Sequence, residues 1–148
     1  MKNFEWSTVF EIGVPEIDHD HQSMVSITNE VREALSAARY EQASRLVDRL
    51  LEASKAHFRR EESLLSQLGF SRLSGHVRYH AGLLEKAQKV RQVCEDAAGK
   101  AAIQDCYDEM LSFLVDDIVR GDYDFKSFLE ERGLAKPRSK LHLNSRPG

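Results

Sequence analysis

Apolar residues recur along this chain at steps of three and four, the mark of helices with one buried face. Met24, Ile27, Val31 and Leu35 keep that period and predict a first helix from an Asp18 cap to about Ala37. Leu46, Leu50, Ala53, His57, Leu64 and Leu68 mark the inner stripe of a second, from about Glu41 to Leu68, with Gly69 as a left-handed stop. A third runs from a Ser71 cap to about Ala97, with Val77, Leu83, Leu84, Ala87, Val90 and Cys94 on its apolar side. A fourth spans about Ala102 to Arg120, with Ile103, Tyr107, Met110, Leu114 and Ile118 inward and Gly121 interrupting it. A short helix, about Phe125 to Arg132, follows.

Long amphipathic segments with short polar connections predict an all-α fold, an up-down-up-down four-helix bundle with an N-terminal arm and a short C-terminal helix. The arm is residues 1–17, irregular, with Phe4, Trp6 and Phe10 ahead of Gly13 and Pro15. Residues 1–134 form one domain on this reading, and 135–148 a polar tail.

Composition narrows the partners. At 148 residues the chain can bury a full core without disulfides. Lys and Arg number 21 against 24 Asp and Glu, a net charge of −3, and no basic stripe points to nucleic acid. The first residues lack the apolar run of a signal peptide, and no stretch approaches the ~18 apolar residues of a membrane span. Cys94 and Cys106 need not pair, and a reduced, cytoplasmic protein is the simpler expectation.

The chemistry lies in histidines and carboxylates at helical spacing. His57 and Glu61 form H-x-x-x-E, and His76 and His80 form H-x-x-x-H. Four residues along a helix turn through about 400°, so each pair projects from one face. Imidazole and carboxylate together suit a first-row transition metal, and two such pairs on successive helices suit two metals better than one. Asp117 and Asp122, five residues apart, share a face only if a π-bulge or distorted turn lies between them. A solvated acidic cluster is the alternative for Asp116, Asp117, Asp122 and Asp124, although a helix C-terminus disfavours anions.

With these residues in order, the chain resembles the bacteriohemerythrins, oxygen-binding non-haem di-iron proteins, over roughly residues 6–129. Trp6, Gly13-Val14, Ile17-Asp18 and His21 resemble the family's opening W…GV..ID..H. His57-Phe58 with Glu61-Glu62 resembles its HF..EE, and Gly69-Phe70 with His76 and His80 its third element. Phe113-Leu114, Asp117-Ile118 and Asp122 resemble its closing WL..HI…D. The resemblance implies that His21 and His57 are terminal ligands of one iron, that His76 and His80 are two of three histidines on the other, and that Glu61 and Asp122 bridge the pair. Asp117 stands where the family has its last histidine. Being shorter and anionic, it either ligates directly, favouring the ferric state, or holds a water in the histidine's place.

The expected function is binding of O2 or a related small molecule, as carrier, store or sensor, by two iron ions. A dry pocket would come from Phe58, Leu114, Ile118 and Ile17. The chain is read as a binding protein and not as an enzyme. The alternatives are a di-metal oxidase or peroxidase, helped by the extra carboxylate, and a metal-binding module without oxygen chemistry. Tyr40, Tyr79, Tyr107 and Tyr123 are expected to be packing residues.

Overall fold

The computed structural model describes residues 3–95 and 100–135, and within the second stretch not the side chains at 100, 101, 103 and 122–124. Four helices make the bundle: α1 (Pro15–Ser36), α2 (Tyr40–Leu68), α3 (Leu73–Glu95) and α4 (Lys100–Val115). A π-helical segment (Asp116–Gly121) continues α4 and passes directly into α5 (Asp122–Glu131). α1 packs on α2 and α4, α2 on α3, and α3 on α4, which closes a ring of four. All described elements are helical, as the periodicity requires.

The core follows the apolar stripes, with local corrections. Met24, Val31, Leu35, Leu46, Leu50, Leu83, Val90, Met110, Leu114 and Ile118 are buried in one continuous cluster. On α2 the buried face takes in Val47, Leu51, Phe58 and Leu65, while Leu64 and Leu68 are only partly covered. Val77, expected inside, is 38 % exposed, because the buried face of α3 is spent on His76, His80 and Leu83. A second cluster of Ile12, Ile17, Leu65, Phe70, Phe125 and Leu129 seals one end of the bundle, and α5 supplies two of its members. Buried hydroxyls are satisfied within their own helices: Thr28 donates to the Met24 carbonyl at 3.0 Å and Ser54 to the Leu50 carbonyl at 2.7 Å.

The start of α1 differs from expectation. The helix begins at Pro15, whose ring presets the first-turn φ, and Asp18 lies inside it. Asp18 does not cap the helix; its carboxylate accepts the backbone N–H groups of Ile12 and Gly13 at 2.7 and 3.0 Å and so ties the arm to α1. Asn29 holds the arm further out through both backbone groups of Phe4. Trp6 and Phe4 meet Phe10 there, at centroid distances of 5.7 and 5.5 Å.

Gly69 ends α2 at φ +74°, with its N–H on Ser66 and that of Phe70 on the Leu65 carbonyl. A Cβ there would meet nothing within 4 Å, so only the backbone objects to a side chain. Gly69→Ala is therefore expected to cost about 1 kcal/mol, read as a lower urea midpoint with an unchanged slope.

Cys94 and Cys106 are joined in a disulfide between α3 and α4. This corrects the expectation of two free thiols. A separation of 12 residues said nothing about pairing, but the α3–α4 packing brings the two Cα atoms to 4.9 Å.

Candidate metal centre

α2 and α3 are both long enough to carry a histidine pattern into the middle of the bundle. His57 and Glu61 sit one turn apart on the buried face of α2, and His76 and His80 one turn apart on that of α3. α1 brings His21. All five side chains are buried.

Glu61 is the hinge of the arrangement. Its Oε1 lies 2.7 Å from His76 Nε2 and 3.0 Å from His80 Nε2. Its Oε2 lies 3.2 Å from His57 Nε2, and His57 Nε2 is 3.0 Å from His21 Nε2. One carboxylate thus turns one oxygen to each histidine group, giving the triads His21–His57–Glu61 and Glu61–His76–His80. Ligands about 2.1 Å from a metal and at right angles stand about 3.0 Å apart. The observed spacings are of that size.

The outer faces of two imidazoles are fixed by carboxylates that sequence spacing did not single out as partners. His57 Nδ1 faces Asp20 Oδ2 at 3.1 Å, and Asp20 is held by Arg60 through two bonds of 2.7 and 2.9 Å. His80 Nδ1 faces Glu62 Oε2 at 2.6 Å. A proton kept at Nδ1 leaves the Nε2 lone pair facing inward, the tautomer a metal ligand needs. Asp20→Asn is expected to weaken metal binding by 10- to 100-fold, the usual cost of losing such a partner, with little change in helicity; competition with a chromophoric chelator measures it.

Aromatic packing completes the positioning. Phe58 stacks on His80, centroids 4.1 Å apart and 12° from parallel. Phe125 meets His76 edge-on at 4.9 Å. Phe58, Leu114, Ile118 and Ile17, the residues expected to line a dry pocket, are all buried.

The π-helical segment answers the five-residue spacing of Asp117 and Asp122. An i→i+5 ladder sets residues five apart over one another. Gly121 has ordinary helical dihedrals, φ −63° and ψ −42°, so backbone freedom is not its role. A Cβ there would lie 3.2 Å from the Tyr79 ring; glycine permits this close approach. Tyr79 also donates to the Asp116 carbonyl at 2.7 Å. Asp116 turns outward to Lys86 and Arg120, and Asp117 turns inward and is buried. The solvated-cluster alternative therefore fails for Asp117, while Asp116 lies at the surface in ion pairs. The side chain of Asp122 lies outside the described residues, as does that of Asp124.

Electrostatics favour a cation here. Burial opposes charge on His57, yet Asp117, Asp20 and Glu61 around it raise its pKa to about 10. Burial and neighbouring His57 push His21 down to about 3. Burial would raise Glu61, but its bonds to His57, His76 and His80 hold it well below the usual carboxylate range. Burial lifts Asp117 to about 6. The buried carboxylates thus favour a positive charge at the centre; a transition metal would supply it by displacing the His57 proton, freeing that Nε2 lone pair beside Glu61.

The family model described as Hemerythrin HHE cation binding domain matches residues 12–126. The chain belongs to the hemerythrin family. Among its relatives are bacteriohemerythrins of Clostridium acetobutylicum, 25 % identical over 126 residues, covering 82 % of this chain and 98 % of that one, and of Stenotrophomonas maltophilia, 25 % identical over 120 residues, covering 79 % and 74 %. A bacteriohemerythrin of Pseudomonas aeruginosa is 21 % identical over 91 residues, covering 62 % and 60 %. No solved structure matches the chain significantly. This hemerythrin-like bundle has no helix long and apolar enough to cross a membrane among the described residues.

Proposed function

We propose that this hemerythrin-like protein holds two iron ions and binds O2 or a related small molecule, as a carrier, store or sensor. The observation that carries the reading is Glu61, whose two oxygens face separate histidine groups, as a bridging carboxylate must. His21 and His57 would hold one ion, His76 and His80 the other, and Glu61 with Asp122 both, with Asp117 as the seventh ligand. The unit is one domain, residues 1–134, with 135–148 a tail. When bound, the irons supply the electrons and the position for oxygen. The chain's own residues do the rest: Asp20 and Glu62 fix the tautomers of His57 and His80, while Phe58, Leu114 and Ile118 exclude water.

Asp117 favours a second reading, a di-metal oxidase or peroxidase. Its buried carboxylate adds negative charge beside the centre, which stabilises the ferric state and works against reversible binding. Elemental analysis tests the metal first: two irons per chain are expected, and zinc alone would leave a binding module without oxygen chemistry. Near-ultraviolet charge-transfer bands should follow aerobic purification. Their loss on reduction, followed by reversible recovery with O2 cycling, marks a carrier or sensor; irreversible oxidation marks the second reading. The disulfide speaks against a reducing compartment, so the cytoplasmic placement is not part of the proposal.

A further inference from the structure

We infer that Tyr79 is a positioning residue: from α3 it pins both ends of the π-helical turn that carries Asp117 to the metal centre. The inference rests on the di-metal reading above, in which Tyr79 is not itself a ligand. Tyr79 stands between His76 and His80 in sequence, and its side chain reaches the π-helical segment. Its hydroxyl donates to the carbonyl of Asp116, the first residue of that segment, at 2.7 Å. Its ring lies against Gly121, the last. A Cβ there would stand 3.2 Å from the ring and 3.4 Å from the same Asp116 carbonyl oxygen. One side chain thus touches the beginning and the end of the turn, at the point where the two ends meet. Tyr79 is 37 % exposed, so filling the core does not account for it.

A single wide turn inside a helix persists where its surroundings hold it, since the ordinary ladder is the more stable choice. Here the surroundings converge on Asp116. Lys86 takes its Oδ2 at 2.6 Å and Arg120 its Oδ1 at 2.8 Å. Lys86 is in turn held by Ser112 Oγ at 2.8 Å. Both cations reach solvent, where ion pairs hold weakly; Tyr79 grips the backbone itself.

The consequence falls on the next residue. Asp117 is buried, and its Oδ2 lies 3.6 Å from His21 Nε2 and 3.7 Å from His57 Nε2. A metal ligand has to be held to within about 0.5 Å. An aspartate side chain is short, so its backbone decides where the carboxylate stands. α3 therefore acts on the centre twice: it presents His76 and His80, and through Tyr79 it sets the carboxylate that the π-helical turn presents toward α1 and α2.

The test is a double-mutant cycle on the intact chain. Ferrous iron is added without oxygen and competed by a chromophoric chelator, and cobalt(II) serves as a spectroscopic probe of the same donors. Tyr79→Phe keeps the ring against Gly121 and removes the hydroxyl. Iron affinity is expected to fall roughly 10-fold, the lower end of the loss when a group that orients a ligand is removed. The d–d absorption of bound cobalt(II) should shift, while the melting temperature of the metal-free protein changes little. In an Asp117→Asn background the same substitution should cost less than about 2-fold, because the carboxylate it serves is gone. Equal losses in both backgrounds would make Tyr79 a structural residue and overturn the inference, as would an unchanged affinity in Tyr79→Phe. If Asp117→Asn alone leaves iron affinity and the cobalt spectrum as in wild type, the inference falls and the di-metal reading stands. A wild-type chain that takes up neither metal overturns both.

Discussion

Replacing Glu61 with alanine should empty the centre. Glu61 is the one described carboxylate that faces both histidine groups, and it is wholly buried. Without it two cations would face each other with less negative charge between them. Iron content is expected to fall from two per chain to one or none. The melting temperature should fall with it, because the ligand constellation does not exist in the unfolded chain. Metal at about 1,000 times its dissociation constant stabilises the fold by about 4 kcal/mol, which for a domain of this size corresponds to roughly 10 °C. Inductively coupled plasma analysis and calorimetry, with wild type stripped by chelator as the control, measure both. Two irons per chain and an unchanged melting point in the variant would remove Glu61 from the centre.

Phe58→Ala should be the most damaging change that touches no ligand atom. The side chain is 2 % exposed, lies in the main core cluster and stacks on His80. Truncation opens a cavity and is expected to cost about 3–5 kcal/mol. It also removes the surface that fixes the His80 ring, so metal affinity should drop together with stability. A urea titration of the chelated protein isolates the packing loss from the metal loss. A cost below about 1 kcal/mol in that state would mean that the core closes over the gap.

The helices were legible because burial of one face imposes a period, and that period survives without knowledge of neighbours. His57 with Glu61 and His76 with His80 were legible for the same reason: i and i+4 share a face whatever lies opposite. The distortion between Asp117 and Asp122 could be expected once the family resemblance put both at one centre, because residues five apart in a regular α-helix do not share a face. Pairings across helices were not legible. Asp20 with His57 and Glu62 with His80 depend on how α1, α2 and α3 are rotated about their axes, which no single segment encodes. The same holds for the disulfide and for the direction of Asp117. Asp18 misled because a residue type favoured at caps also serves well one turn inside a helix, where its carboxylate reaches back to the preceding chain.

The Cys94–Cys106 bond makes the chain a closed ring across the α3–α4 connection. A protease that cuts anywhere between those two residues leaves a protein of unchanged mass but for one water. The half carrying His21, His57, Glu61, His76 and His80 stays covalently attached to the half carrying Asp117. On a gel such a nicked molecule migrates as one species until a reductant is added, then as two. The peptide link between the third and fourth helices is thus dispensable for keeping the donors on one covalent molecule once the sulfurs are joined.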